Sequence, residues 1–381
     1  MNDAPFVFGR PVEGDAFIDR PLEIARLKGN FEYGTNAIVI SSRRMGKTSQ
    51  VRKVAGLTES DTIRIASFDA FHCRNEDEFL KAYATAVIKA TSSSLDEWTA
   101  TITRFLPRLA PRITIGADRL TDFGLEIEIG RLGQNVDEIL ALPQRIAEEK
   151  GIRIVVCIDE FQQIAGFEDS LTFQKRLRGV WQHLQDVSFC LSGCRPHLMN
   201  TIFQHQDRPF YRFGDVIYLS NIPKADWVSF VCDRFAAGGK GITRELAERL
   251  VDSVNCHSSY VQQLAWILRN STEEEATDDG MKAAMERLLD NCQPAFVLQT
   301  EGLTAKQVAL LCAICDGVED GFTTRTVLEK YRLGVSSNVV RVRKALLERD
   351  LIAQEPDGRL VIEDPVFKRW LIERFRISRI S

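Results

Sequence analysis

Ala37-Ile38-Val39-Ile40-Ser41-Ser42-Arg43-Arg44-Met45-Gly46-Lys47-Thr48-Ser49 is the stretch on which the reading of this chain turns. Four apolar residues make a buried strand, a tight turn follows, and Gly46-Lys47-Thr48 opens a helix. That is the layout of a phosphate-binding loop, in which successive backbone N–H groups wrap an anion at the positive end of a helix dipole. The lysine then reaches the β- and γ-phosphates of a nucleotide, and the threonine hydroxyl binds Mg²⁺. Ser41 stands where the G-x-x-x-x-G-K-[ST] pattern has its first glycine. The match is therefore partial, and the alternative is an ordinary βα turn.

The support lies about a hundred residues downstream. Ile152-Arg153-Ile154-Val155-Val156-Cys157-Ile158 is a nearly continuous apolar run that ends in Asp159-Glu160. Such a run suits a strand covered on both faces of a parallel sheet, and ligands of open α/β sheets bind at the carboxyl ends of strands. A phosphate loop paired with two strand-end carboxylates is what Mg²⁺-nucleotide chemistry needs: Asp159 to hold the ion and Glu160 to polarise an attacking water. A third apolar strand, Val187–Leu191, ends in Ser192-Gly193-Cys194-Arg195 and is expected between the other two. Ser192 there is either a γ-phosphate sensor or a turn cap. Arg208 and Arg212 precede a short strand at Val216–Leu219. Arg212 is a candidate for the nucleotide or an interface, set against a plain surface arginine. Arg43 and Arg44 can meet phosphate or buttress a domain contact.

Around these signals the chain divides. Phe17-Ile18-Asp19-Arg20-Pro21 leads into a helix with Leu22, Ile24 and Leu27, which Asp19 would cap. Thr62–Phe68 reads as a strand and Glu76–Ala90 as a helix. Residues 91–135 read as an insertion: a helix over Leu95–Leu106, then two hairpin arms at 113–116 and 125–129. Val136–Lys150 reads as one helix kinked at Pro143. Strand–helix alternation over 37–220 gives a doubly wound α/β core with a parallel five-stranded sheet. Helices are expected at 224–236, 243–254, 258–270 and 280–291, forming a helical unit over 221–295. Residues 296–381 carry helices 304–315, 323–330 and 336–349. A strand pair follows that turns at Pro356-Asp357-Gly358, and a last helix through Leu371 and Phe375. Three helices and a β-ribbon make a winged helix.

The 381 residues are 44% apolar and 27% charged, with a net charge of −4, and carry no global footprint for nucleic acid or an anionic membrane. No spanning apolar run or leader is seen, so a cytoplasmic protein without a membrane partner is expected. The nine cysteines are scattered, and Cys312-Ala-Ile-Cys315 reads as core thiols rather than a zinc or redox site. His183, His197, His205 and His257 show no metal-ligand spacing, and no G-x-S-x-G elbow is present. In the winged helix, Asn338, Arg341, Arg343 and Lys344 lie on the third helix, where DNA contacts would be made. Residues 301–381 hold 14 Lys+Arg against 12 Asp+Glu, a net of +2, so domain docking stays open beside DNA binding.

With these residues in view, the chain resembles the archaeal-type ATPases of the STAND branch of AAA+-like P-loop proteins. The likeness rests on Phe17-Ile18-Asp19-Arg20 with Leu22-Glu23, Arg43-Arg44-Met45-Gly46-Lys47-Thr48-Ser49, and Ile158-Asp159-Glu160-Phe161-Gln162. It continues with Ser192-Gly193, Pro209-Phe210-Tyr211-Arg212, and Asp364-Pro365-Val366-Phe367 with Trp370-Leu371. The resemblance implies an AAA+-type core, a helical lid and a C-terminal winged helix. It also implies that Phe17, Ile18 and Arg20 line an adenine pocket and that Ser42 through Ser49 hold the phosphates. It implies a switch driven by ATP binding and slow hydrolysis, with ATP, ADP and Mg²⁺ as ligands and self-association or a protein partner as the output. His257-Ser258-Ser259-Tyr260 replaces the family's Gly-x-Pro lid sensor.

Overall fold

The computed structural model describes residues 5–14, 17–18, 20–105, 113–118, 122–127, 136–355 and 357–377. Among the expected features, Asp19, Leu106, Glu128, Ile129 and Pro356 lie outside these residues. The chain forms two compact units, residues 19–220 and residues 221–381 together with 1–18.

The first unit runs α1 (Pro21–Tyr33), β1 (Ala37–Ile40), α2 (Lys47–Thr58), β2 (Ile63–Asp69), α3 (Glu76–Thr91) and α4 (Leu95–Phe105). A hairpin of β3 (Ile113–Asp118) and β4 (Asp122–Ile127) follows, then α5 (Val136–Leu140), α6 (Leu142–Lys150) and β5 (Arg153–Asp159). The unit closes with α7 (Ser170–Trp181), β6 (Val187–Gly193), α8 (Pro196–Phe203) and β7 (Asp215–Tyr218). Its parallel sheet has the order β2-β5-β6-β1-β7. The apolar strands alternate between two cores. Ile38, Ile40, Ile154, Val156, Ile158 and Leu191 face Phe79, Tyr83, Phe161 and Trp181. Ala37, Val39, Val155, Cys157 and Cys190 face Leu27, Phe31, Val51 and Val54. Burial on both faces is what the continuous apolar runs require.

Two expectations are corrected here. The stretch 136–150 is two helices, with Ala141 at the N-cap of the second and Pro143 in its first turn. Proline fits there because a first-turn N–H has no helical partner to lose. The N-cap of α1 is Arg20, without a side-chain cap. Trp181 is buried, stacked on Phe189 at 4.1 Å and near Tyr83 at 6.0 Å. Trp181→Ala is expected to cost about 3–5 kcal/mol, because it opens a cavity in a close-packed interior. Urea unfolding checks this, and a loss under about 1 kcal/mol would contradict the packing.

The second unit holds α9 (Lys224–Ala236), α10 (Arg244–Ser253), α11 (Ser258–Ser271), α12 (Asp278–Thr300), α13 (Ala305–Cys315), α14 (Arg325–Lys330) and α15 (Ser336–Glu348). It ends with the strand pair β8 (Ala353–Gln354) and β9 (Leu360–Val361), then α16 (Pro365–Ile377). One apolar core runs from Trp227 and Leu264 through Leu310 to Trp370. The helix expected over 280–291 continues to Thr300, through Pro294. An internal proline forfeits a backbone bond. Two residues on, Phe296 is buried against Phe367 at 5.2 Å and Trp370 at 5.7 Å, and this packing offsets the loss. Asp364 explains the Asp-Pro-Val-Phe motif: Oδ1 caps α16 by accepting from the Val366 and Phe367 N–H groups, and Oδ2 accepts from the Tyr260 hydroxyl at 2.6 Å. Thr304 and Gln307 form a reciprocal capping box at the start of α13. Thr304→Ala should cost about 1 kcal/mol, read as a lowered thermal midpoint. Among the described residues, no helix is long and apolar enough to cross a membrane.

Candidate functional site

The sheet order places β6 between β5 and β1, so the strand ends carrying Asp159, Ser192 and the Ser41–Gly46 turn lie side by side. The turn needs left-handed backbone at Arg44 (φ 62°) and Gly46 (φ 91°). Glycine adopts that region freely, whereas an arginine there is strained by roughly 1–3 kcal/mol. Ser41 is not in this region. Its N–H donates to the Gly193 carbonyl at 3.3 Å and its hydroxyl to the Ser42 carbonyl at 3.0 Å. The position therefore does not call for glycine, and the departure from the pattern leaves the turn intact.

Four groups converge on Asp159. Lys47 Nζ pairs with Oδ1, Thr48 Oγ1 donates to Oδ2 at 2.6 Å, Ser192 Oγ donates to Oδ1 at 2.8 Å, and the Glu160 N–H donates to Oδ1 at 2.9 Å. Lys47 also lies 3.4 Å from Glu160 Oε1 and 3.5 Å from Ser192 Oγ. Burial works against the Lys47 ammonium, but the Asp159 and Glu160 charges outweigh it and raise its pKa. Burial likewise pushes the Asp159 carboxyl up, while the Lys47 charge and the hydrogen bonds from Lys47, Thr48 and Ser192 bring it below the usual range. At neutral pH both groups are ionised. The donor set suits a hard cation: the Thr48 hydroxyl and the Asp159 carboxylate, with phosphate oxygens and water, are what Mg²⁺ takes.

Glu160 is held from its other side. Its left-handed backbone (φ 52°) turns the chain out of β5. Its Oε2 accepts from Gln162 Nε2 at 2.5 Å and from the Cys194 thiol at 2.9 Å. Burial first, then the bond to Glu160 and its charge, push the Cys194 thiol up to about 12, so it stays protonated and donates. Gly193 makes room for this arrangement, since a Cβ there would lie 2.3 Å from Gln162 Oε1. Sequence reasoning missed both Gln162 and Cys194 as functional candidates. The only signal was proximity, two residues past Ser192 and two past Glu160.

The remaining expected residues are more dispersed. Met45 and Ser49 are buried in the loop and helix start, Ser42 is half-buried, and Arg43 and Arg44 are exposed. Arg212 is exposed, in left-handed backbone (φ 54°), with its guanidinium 5.2 Å from the Tyr211 ring centre, outside the Asp159 cluster of contacts. Phe17 and Ile18 belong to the second unit and Arg20 to the first. On α15, Val340, Arg341 and Lys344 share an exposed face, and Arg341 takes the Asn338 side-chain oxygen at 3.1 Å. Arg343 turns instead to the wing, donating to Gln354 Oε1 at 2.5 Å.

Residues 294–373 match the family described as a probable winged helix domain. The fold is similar to a Walker-type ATPase of Pyrococcus abyssi, with a TM-score of 0.66 at 18% identity, over 95% of this chain and 98% of that one. It is also similar to the ORC2 protein of Aeropyrum pernix in its ADPNP–ADP complexes, with a TM-score of 0.56 at 12% identity, over 97% and 96% of the two chains. No curated protein matches the chain in sequence. At these identities the likeness is one of fold. The chain shares its fold with these two proteins: a five-stranded parallel α/β core, and a helical region that ends in a winged-helix domain.

Proposed function

We propose that the protein binds Mg·ATP at the 41–49 turn, hydrolyses it, and works as a switch whose nucleotide state sets the arrangement of core, lid and winged helix. The observation that carries this reading is the convergence of Lys47, Thr48, Ser192 and the Glu160 N–H on Asp159. Lys47 would neutralise the β- and γ-phosphates, and Thr48 with Asp159 would hold Mg²⁺, which supplies charge neutralisation for phosphoryl transfer. Glu160 takes the proton of the attacking water, and Ser192 and Arg212 read the γ-phosphate. The ADPNP–ADP complexes of the Aeropyrum pernix ORC2 protein, which has a similar fold, support an adenine nucleotide as ligand. The test is ATP binding and phosphate release by the full chain, with and without duplex DNA. Binding with phosphate release no higher than that of a Lys47→Ala control would favour a non-hydrolysing nucleotide module. Absence of binding would remove the reading altogether.

A second reading, DNA binding, is favoured by the Val340–Arg341–Lys344 face of α15. The wing argues against it, because Arg359 there is already paired with Glu319 at 2.9 Å and Asp357 at 2.6 Å. If DNA is bound, Arg341→Ala with Lys344→Ala should abolish retention in low salt, and wild-type retention should fall steeply with added salt. No retention at low salt makes the domain a docking module.

A further inference from the structure

Arg20 is a buried cation, 6% exposed, and the Asp159 cluster does not use it. Burial lowers its pKa, outweighing the opposing charge of Glu23. A guanidinium taken out of water must spend its donors on acceptors, because unpaired buried charge is costly. The acceptors here are two backbone carbonyls from distant parts of the chain. One is Met45, 3.0 Å from Nη2, inside the phosphate-binding turn between the left-handed Arg44 and Gly46. The other is Ser220, bonded to Nη1. Ser220 is the last residue of the first unit, and Arg20 is its first described residue. One side chain thus holds the loop and both ends at which the chain leaves that unit.

Beyond Ser220 the chain is fastened again. Asn221 Nδ2 donates to the Asn255 carbonyl at 2.9 Å. Asn255 (φ 50°) and Cys256 (φ 54°) are consecutive left-handed residues, a strained turn that leads into α11 and to Tyr260, which bonds Asp364 at the start of α16. Non-glycine residues hold such backbone only where their surroundings fix it.

We propose that Arg20 is a positioning residue that couples the phosphate-binding loop to the linker at residues 219–222. Movement of the loop is thereby passed to the point where the chain enters the second unit. The guanidinium is planar and rigid, so two carbonyls held on it do not move independently, whereas a lysine ammonium satisfies them only as a mobile point charge. The trigger, nucleotide at the loop, rests on the function proposed above; the coupling itself does not.

Amide hydrogen exchange on the full chain tests this with wild type, Arg20→Lys and Arg20→Gln, first without nucleotide and then with Mg·ADP or Mg·ATP. Without nucleotide, both variants should speed exchange in 41–46 and in 219–223 together by about tenfold, the loss of a charge-assisted hydrogen bond, and leave β5 unchanged. With nucleotide, wild type should slow exchange in both segments and the variants in the loop alone. The proposal is overturned if the variants leave 219–223 unaffected, or if nucleotide slows that segment equally in Arg20→Lys. A rise that spreads to β5 in both variants overturns it too, since Arg20 would then only support the fold. If wild type binds no nucleotide, the proposed function fails while the nucleotide-free comparison still decides the coupling.

Discussion

Lys47→Ala is expected to lower ATP affinity by roughly 30- to 4000-fold, the 2–5 kcal/mol that losing one partner of a desolvated charge pair costs. The fold should survive, because Asp159 keeps its hydrogen bonds from Thr48, Ser192 and the Glu160 N–H. The variant should nonetheless be less stable than wild type at neutral pH, since a buried carboxylate has lost its counter-charge. The sign of the pH dependence follows from Asp159. In wild type its folded pKa lies below the unfolded value, held there against burial by Lys47 first. Its stabilising contribution is therefore complete above the unfolded value of about 3.9 and lost as pH falls through the depressed folded value. In the variant, burial dominates and raises the carboxyl, so acid costs it less. The stability gap between the two proteins should be full at pH 6 and close towards pH 3. Urea unfolding across that range checks it. A gap independent of pH, or an unchanged nucleotide affinity, would remove Lys47 from its assigned place.

The parts of this site legible in the sequence are those where backbone pattern and chemistry coincide. Ile38–Ile40 and Ile154–Ile158 read as two-face strands because both sheet faces are covered, and their order follows once each ends in a residue the phosphate would meet. Ser41 made the match partial because the pattern prescribes glycine, whereas the backbone there is not left-handed and a serine fits. Residues that act through contacts gave no signal beyond their nearness in sequence: Gln162 and Cys194 grip Glu160 from a short 3-10 turn and a strand end brought together only by the β5–β6 pairing. Arg20 was visible, but its partners at Met45 and Ser220 are 25 and 200 residues away. The continuation of α12 from 291 to Thr300 was hidden for a related reason: Pro294 disfavours a helix locally, and the burial of Phe296 against α16, which outweighs it, is a long-range fact.

Glu160→Gln should separate binding from chemistry. The amide keeps the volume of the carboxylate and an oxygen that can accept from Gln162 or Cys194, so the turn after β5 stays in place. It cannot take a proton from water, and loss of a general base costs about 10²–10⁴ in kcat. ATP affinity should hold or rise slightly, because Lys47 loses an anionic neighbour 3.4 Å away and its charge is freer for phosphate. A second readout needs no nucleotide. After burial, the bond to Glu160 and its negative charge are what hold the Cys194 thiol up at about 12, and the substitution removes the charge. The Cys194 pKa should fall, and its alkylation by iodoacetamide at pH 9, followed on the Cys194 peptide, should quicken while buried Cys190 stays inert. Faster Cys194 alkylation with undiminished turnover would mean that the carboxylate is where the structure puts it and yet is not the base. Slow turnover with unchanged alkylation would place Glu160 in catalysis but detach it from the Cys194 grip. Only the two changes together match a base held in reserve by a thiol and an amide.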